Sequence, residues 1–258
     1  MNTNSIDLNC DLGEGYGAWQ MGDDLAMLDI VSSANVACGF HAGDPNIMAE
    51  LAKQTLNRGI AFGAHPSFND REGFGRREIH GLSNLEVHNL VIYQIGALKL
   101  LAHSVGQEVS HVRPHGALAN MAEADTHLGQ TVVQAVKAAD ASLIMVSRPN
   151  SATDIAAKQM GLKTIQQVFA DRVYLDDGSL VPRSHPQAVL HDAKNVAERC
   201  ARMVQERQVE SINGAIIKLE FDTICVHGDT PSAVKMADAI RHRLEAEGLS
   251  ITPFTAGF

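Results

Sequence analysis

IDLNCDLGEGYG, residues 6–17, is the stretch that decides the fold. Apolar and polar residues alternate along its first half, which is the pattern of a β-strand with two different faces. One face carries Asp7, Asn9 and Asp11. Parallel strands covered by helices are usually apolar on both faces, and a buried polar group needs a partner. The simplest solution is a polar site inside a barrel or at its mouth; the alternative is a surface strand with one solvated face.

The glycines at the end of this stretch let the chain turn sharply off the strand. Asp11 and Glu14 then lie at the carboxyl end of the first strand, where α/β folds keep their chemistry. We therefore predict catalytic roles for Asp11 and Glu14. Asp7 and Asn9, on the same face, are predicted to orient Asp11 or to contact the substrate.

Composition narrows the class of protein. The chain has 258 residues, of which 45% are hydrophobic and 20% charged, which is typical of a single globular domain over residues 1–258. The net charge of −9 argues against nucleic acid as a partner. Because there is no long apolar run and no signal-peptide pattern, no membrane helix or export is expected. Four widely spaced cysteines without a CxxC motif predict reduced thiols and a cytoplasmic protein.

Strands and helices alternate along the whole chain. After the first strand, further strands are predicted at residues 33–38, 60–64, 110–114, 143–147, 164–169 and 223–226, with a last short one at 251–254. This pattern predicts an α/β fold with a parallel sheet closed into a βα barrel of seven or eight strands. An open doubly wound sheet is the alternative. The GEGYG segment lacks the GxGxxG spacing of a dinucleotide loop, so NAD binding is not favoured.

Several helix limits can be read from the residues. Asp44 followed by Pro45 predicts a helix start, and Gly59 a helix end. Ser83 and Glu86 form a capping-box pattern at the start of a helix predicted at 84–105. Further helical patterns run from the end of the fourth strand to about residue 139, and over about 188–208.

Four of the twelve histidines directly follow predicted strands: His41, His65, His115 and His227. In a βα barrel these strand ends meet at one mouth. Imidazoles and carboxylates in one cleft suit either a divalent metal or acid–base chemistry near neutral pH. His115 and His227 are predicted to be catalytic, and Asp229, beside His227, to contact the substrate. The alternative is that each histidine only bonds a neighbouring loop, since no HExxH spacing points to a metal.

Arginines are the predicted anion ligands. The loop REGFGRR at residues 71–77 combines glycine freedom with guanidinium groups, so Arg76 and Arg77 could hold a phosphate or a carboxylate. The alternative is a solvated surface loop. Asn35, in the second strand, and Arg113, after the fourth, complete the predicted substrate-binding set.

The motifs at these strand ends resemble those of the LamB/YcsF family: IDLNCDLGEG, SANVACGFHAGDP, GAHPSFND, GFGRR, RPHGAL, DGxLVPR and CVHGDTP. The resemblance covers nearly the whole chain. It implies a seven-stranded βα barrel like those of glycoside hydrolases and polysaccharide deacetylases. Because the family includes a component of bacterial ATP-dependent 5-oxoprolinase, it also implies cleavage of 5-oxoproline to glutamate with ATP hydrolysis, together with partner subunits B and C.

The resemblance also bears on individual site residues. Deacetylase-like relatives hold a metal with an Asp from the first strand and later histidines, so Asp11, His41 and His65 are the implied ligands of a divalent metal. Two positions depart from the family pattern, which usually has Lys where this chain has Arg113 and Tyr where it has Ala119. The first departure changes the geometry of the charge, and the second removes a hydroxyl.

Two other functions are weighed against this one. A stand-alone metal-dependent carbohydrate deacetylase is disfavoured by an aromatic content of only 5%, which is poor in sugar-stacking side chains. A non-catalytic scaffold would not need so many polar strand ends. The sequence leaves open which component of the complex binds ATP, which group is the general base, and whether the chain forms a homo-oligomer.

Overall fold

The computed structural model describes residues 4–228 and 232–257, which contain ten β-strands and eight α-helices. In chain order the strands are β1 (Ser5–Leu12), β2 (Ser33–Ala37), β3 (Ala61–His65), β4 (Val109–Val112), β5 (Ile144–Ser147), β6 (Thr164–Phe169), β7 (Gln208–Glu210), β8 (Ile216–Lys218), β9 (Thr223–Val226) and β10 (Ser250–Ile251). Seven parallel strands, β1 to β6 and β9, form one sheet, and β1 pairs with both β2 and β9. That pairing closes the predicted α/β barrel, while β10 adds to β1 outside the ring.

The helices surround the barrel: α1 (Asp24–Leu28), α2 (Pro45–Arg58), α3 (Asn84–Ser104), α4 (Gly116–Ala124), α5 (Thr126–Ala139), α6 (Ala152–Gln159), α7 (Ala193–Glu206) and α8 (Ala233–Ala246). Their predicted ends are confirmed where capping residues mark them. The Asp44 carboxylate accepts from two backbone amides at the start of α2, and Gly59 ends that helix with φ of 66°. Ser83 and Glu86 form a full capping box on α3.

The two faces of β1 have the environments that its alternation predicts. Ile6, Leu8, Cys10 and Leu12 pack into the apolar core between barrel and helices. The opposite face points into the barrel, where Asp7, Asn9 and Asp11 are at most 4% exposed. The alternative of a solvated surface strand is therefore wrong.

The amino end of the barrel is sealed. A 3-10 helix, Phe254–Gly257, follows β10 and brings Phe254 against Ile144, Val146 and Ile165 in a small apolar cluster. The Phe254 amide donates to the Asp7 carboxylate at 3.3 Å. Because this end is filled, the polar interior opens towards solvent only at the carboxyl ends of the strands.

Some predicted limits are wrong. The helical pattern up to residue 139 divides at Asp125, whose side chain caps α5 by accepting from the Leu128 amide. The helix expected at 188–208 begins only at Ala193, and the β7–β8 hairpin after it was not anticipated. The last strand, expected at 251–254, is shorter because the chain turns into the 3-10 helix.

The four cysteines are buried free thiols, as predicted. Across residues 4–228 and 232–257, no helix has the length and apolar character needed to cross a membrane.

Candidate functional site

A cleft of about 550 Å3 lies at the carboxyl end of the barrel. Five of the residues singled out in the sequence line it: Asp11, Arg76, Arg113, His115 and His227. They come from five different strand ends or loops, because parallel strands bring their carboxyl ends to the same side. The cleft is therefore the site to which the sequence pattern points.

One wall of the site is a cluster of Glu14, His41, His65 and His115. Each offers one ligand atom, and these four atoms all lie within 4.8 Å of one another. Glu14 Oε1 lies 3.2 Å from His41 Nε2 and 3.4 Å from His115 Nδ1. The His41 and His115 rings stack with centroids 3.9 Å apart. All four side chains are buried, so the cluster is rigidly held.

Backbone carbonyls decide which nitrogen carries the proton in two of these rings. His65 Nδ1 bonds the Arg113 carbonyl, and His115 Nε2 bonds the Phe74 carbonyl at 2.8 Å. A carbonyl only accepts, so both nitrogens must be protonated donors. The other two nitrogens, His65 Nε2 and His115 Nδ1, face each other at 2.9 Å. Two neutral imidazoles thus direct lone pairs at one point, which suits a cation or a shared proton.

The cluster favours neutral imidazoles. Burial, followed by the charge of neighbouring His65, lowers the pKa of His41 well below its ordinary value. Burial, followed by the charges of His41 and His65, does the same to the pKa of His115. His41 Nδ1 is also buried without a hydrogen-bond partner in the described part of the chain. Neutral nitrogens with fixed tautomers and one carboxylate are a donor set that fits a first-row divalent ion.

The predicted metal set of Asp11, His41 and His65 differs from the set that the barrel assembles. Glu14 and His115 join the two histidines, while Asp11 lies beside the cluster with Oδ2 3.4 Å from His65 Nε2. The reason is local. Gly13 has φ of 70°, which turns the chain off β1 and carries Glu14 to the histidines.

Asp11 is a buried carboxylate that stays ionised. Burial acts to raise its pKa, but the charges of His65 and Arg113 outweigh burial and hold the pKa well below its ordinary value. Asn35 Nδ2 donates to Asp11 Oδ1 at 3.0 Å and fixes its orientation. In return, Asp11 outweighs burial and raises the pKa of Arg113. The site therefore holds a charged Asp–Arg pair at the wall of the cleft.

Below Asp11, polar side chains fill the barrel interior as a connected ladder. Asn35 Nδ2 donates to Asn9 Oδ1 at 2.8 Å, and Asn9 Nδ2 donates to Thr223 Oγ1 at 2.6 Å. Thr223 donates to Asp7, and His111 Nε2 lies 3.1 Å from Asn35 Oδ1. The predicted substrate residues Asp7, Asn9 and Asn35 are thus buried in this ladder, at 1% exposure each, and none of them lines the cleft. Their position supports Asp11 from beneath.

The loop at residues 70–77 covers the histidine cluster. Gly75, at φ of 64°, packs so closely that an added Cβ would lie 2.8 Å from both His41 and His115. Arg76 lines the cleft. Arg77 does not reach it, because its Nε donates to Asp70 Oδ1 at 2.7 Å on the outer side of the loop. The predicted anion ligand Arg77 is thereby a structural partner of Asp70.

A second titratable pair faces the cluster across the cleft. His227, after β9, places Nδ1 2.8 Å from Asp171 Oδ1, after the neighbouring strand β6. Burial acts to raise the pKa of Asp171, but the charges of His227 and Arg183 lower it overall. Asp171 therefore holds the His227 ring by Nδ1 and leaves Nε2 for proton exchange. Asp229, predicted beside this pair, lies outside the described residues.

Sequence reasoning left several residues of the cleft out of the candidate site: Glu78, Arg148, Asp171, Arg172 and Arg183. Signals for two of them were present. The segment ADR directly follows the sixth strand, and the DGxLVPR motif contains Arg183. What could not be read was the closeness of these two segments in space.

Comparison with known proteins is consistent along nearly the full length. A profile of the LamB/YcsF family matches residues 6–257. The protein named as the A subunit of 5-oxoprolinase in Rhodopseudomonas palustris is 51% identical over 249 residues, which cover 96% of this chain and 98% of that protein. The 5-oxoprolinase A subunit numbered 2 from Bradyrhizobium diazoefficiens is 50% identical over 253 residues, covering 98% and 99%.

Solved structures extend the comparison to the fold. The lactam utilization protein from Thermus thermophilus superposes with a TM-score of 0.91 at 41% identity, covering 96% of this chain and 99% of that one. The catalytic domain of a peptidoglycan N-acetylglucosamine deacetylase from Eubacterium rectale superposes with a TM-score of 0.51 at 11% identity, covering 97% and 88%. At that low identity the deacetylase indicates a shared fold and nothing further.

Proposed function

Because this chain belongs to the LamB/YcsF family, we propose that it is the lactam-opening component of an ATP-dependent 5-oxoprolinase. The reaction converts 5-oxo-L-proline to L-glutamate with hydrolysis of ATP, in a complex with subunits B and C. Relatives about half identical to it over nearly their whole length are named as the A subunit of 5-oxoprolinase. A stand-alone carbohydrate deacetylase is not favoured, because the deacetylase likeness rests on the fold alone.

One observation carries the proposal: two kinds of titratable group face each other across one cleft. Asp11 and the Glu14–histidine cluster lie on one side, and the Asp171–His227 pair lies on the other. Opening a lactam needs a base for the attacking water and an acid for the departing ring nitrogen. The cleft has a candidate for each role on opposite walls.

The roles follow from the charges. Asp11 stays ionised, so its carboxylate can take a proton from the attacking water. His227, held at Nδ1 by Asp171, can give a proton from Nε2 to the ring nitrogen as the carbon–nitrogen bond breaks. Arg113, buried beside Asp11, can balance negative charge on the tetrahedral oxygen.

Glu14, His41, His65 and His115 would hold a divalent metal. Such an ion, when bound, would polarise an oxygen and lower the pKa of a bound water. The cover formed by residues 70–77 keeps bulk water from the histidines, since Gly75 packs directly against two of them. Phe74 contributes its carbonyl to hold His115 in the tautomer that binding needs.

Activity is tested with the complete complex. The chain is co-purified with candidate B and C subunits, and release of glutamate from 5-oxoproline is followed with and without ATP. The expected result is ATP-dependent glutamate release that requires this chain. A complex that assembles but releases no glutamate would refute the proposed function.

Metal binding is tested on the chain alone by elemental analysis after purification without chelator. About one divalent ion per chain is expected, and His115→Gln should lose it. His242→Gln is the matched control, because His242 is an exposed histidine on α8, paired only with Asp238. Absence of metal from the parent chain after incubation with zinc or manganese would count against the site.

A further inference from the structure

Five arginines line the cleft: Arg76, Arg113, Arg148, Arg172 and Arg183. The whole chain has only 21 lysines and arginines and a net charge of −9, so this is a local concentration of positive charge. They come from separate loops or strand ends, and one of them, Arg172, is only 5% exposed. A cleft of this kind selects anions.

Two of the five guanidinium groups are balanced by carboxylates. Arg148 Nε lies 2.5 Å from Glu123 Oε2, and both side chains are mostly buried. Arg113 interacts with Asp11. The lining contains one further carboxylate, that of the exposed Glu78, which faces three further arginines in the same cleft.

Those three arginines lie close enough to act on one another. Arg172 Nη2 donates to the Val181 carbonyl at 2.7 Å, and Nε donates to the Ala188 carbonyl, which fixes its head beneath the loop carrying Arg183. Burial, followed by the charge of Arg183, lowers the pKa of Arg172 to about 10, and Arg76 contributes in the same direction. Like charges held together in this way are relieved by a bound anion.

The arginines also lie between the two halves of the site. Arg183 is near enough to Asp171 for its charge to lower the pKa of that carboxyl, after burial and His227 have acted. Arg76 lies over the Phe74 ring at 5.0 Å, and Phe74 holds His115 through its carbonyl. An anion bound by these arginines would therefore lie next to both proton-transferring groups.

We infer that Arg76, Arg172 and Arg183 form a binding site for a phosphoryl group. A phosphoryl group carries about two negative charges and three acceptor oxygens, which matches three guanidinium groups better than a single carboxylate does. The inference rests on the proposed ATP-dependent function, in which a phosphoryl group arrives either on a phosphorylated lactam or on the nucleotide. It assigns to this chain a site for the activated substrate as well as the groups that open its ring.

The test is binding to the purified full chain without partner subunits, measured by calorimetry with inorganic phosphate as the probe. Arg76→Gln and Arg183→Gln are suitable variants, since both residues are exposed at the cleft and their replacement should leave the fold intact. Phosphate affinity should fall by about tenfold or more in each, with partial recovery in Arg183→Lys. Arg202→Gln, an exposed arginine on α7 away from this cleft, is the matched control and should bind as the parent does.

Two further ligands identify the source of the group. Arginine-dependent binding of ATP, at least as tight as that of phosphate, would indicate that the nucleotide supplies it. Weak ATP binding beside arginine-dependent phosphate binding would indicate the phosphorylated lactam. Both results support the site.

The inference is overturned if phosphate fails to bind the parent, or binds parent and arginine variants equally. It is also overturned if only 5-oxoproline shows the arginine dependence, since the site would then recognise a carboxylate. Because no turnover is measured, the outcome is separate from that of the proposed function. A complex without 5-oxoprolinase activity would leave a measured phosphate site standing.

Discussion

The barrel interior has two polar layers that treat their side chains differently. The lower layer consists of Asp7, Asn9, Asn35, His111 and Thr223, and these are joined by hydrogen bonds to one another or to neighbouring hydroxyls. The upper layer consists of Asp11, Glu14, His41, His65 and His115, where two ring nitrogens face each other with lone pairs and His41 Nδ1 has no partner in the described part of the chain.

The difference separates polar groups that stabilise the fold from those available for chemistry. A buried polar group with all its partners inside the protein costs little and holds the structure rigid. A buried group whose partner is missing persists only when something else, such as an ion or a substrate, completes it. By this criterion the lower layer is the support and the upper layer is the site.

The largest effect is expected in the upper layer, for Asp11→Asn. This change keeps the shape of the side chain but removes the charge that lies beside His65 and Arg113. Turnover of 5-oxoproline by the complete complex should fall by about 10²- to 10⁴-fold, as for general acid–base groups. Glutamate release is measured alongside a thermal melt of the chain. A variant that melts like the parent and retains near-full turnover would remove Asp11 from the mechanism.

In the lower layer, Asp7→Asn should change how stability depends on pH. Burial raises the pKa of Asp7 from its ordinary value of 3.8 to about 6, although hydroxyls of Ser33, Thr223 and Ser32 oppose it. The folded chain thus holds the proton more tightly than the unfolded chain. This contribution to stability is present below pH 3.8 and is lost as the pH rises through about 6.

Relative to Asp7→Asn, the parent should therefore lose on the order of 3 kcal/mol of unfolding free energy as the pH rises from about 4 to 7. Urea unfolding of both proteins across this range measures the difference. A constant gap between parent and variant would show that Asp7 titrates normally. Turnover per folded molecule should change little, which distinguishes Asp7 from Asp11.

Asn35→Ala tests the junction of the two layers, and a smaller effect is expected. Asn35 donates to Asp11 and Asn9 and lies within hydrogen-bond distance of His111. Its loss should cost about 1–3 kcal/mol of stability, because buried partners are left unsatisfied. Turnover should fall by about tenfold as Asp11 loses its orientation, a smaller loss than in Asp11→Asn. Loss of stability with unchanged turnover would show that the upper layer does not depend on the lower one.

Arg77→Gln should have the smallest effect, and it contrasts with the arginines of the cleft. Its side chain is 59% exposed and pairs with Asp70 on the outer side of the covering loop. Exposed ion pairs contribute little, so both the melting temperature and the turnover should stay close to those of the parent. A large loss of turnover without a change in melting temperature would place Arg77 at the substrate after all.

The alternation in the first strand was sufficient to predict a polar barrel interior, because side-chain direction in a strand depends only on position along it. The same holds for the helix starts at Asp44 and Ser83, where a cap acts on amides two or three residues away. Histidines placed after strands were enough to predict a shared cleft, since a parallel barrel gathers its carboxyl ends on one side.

Only the closed barrel decided which of these residues meet. Glu14 replaces Asp11 in the cluster because of a turn at Gly13, and His227 pairs with Asp171 because β6 lies next to β9 across the intervening hairpin. Arg76 and Arg183, far apart in the chain, line one cleft for the same reason. Contacts of this kind depend on strand order and loop path through space, and the spacing of residues along a chain carries neither.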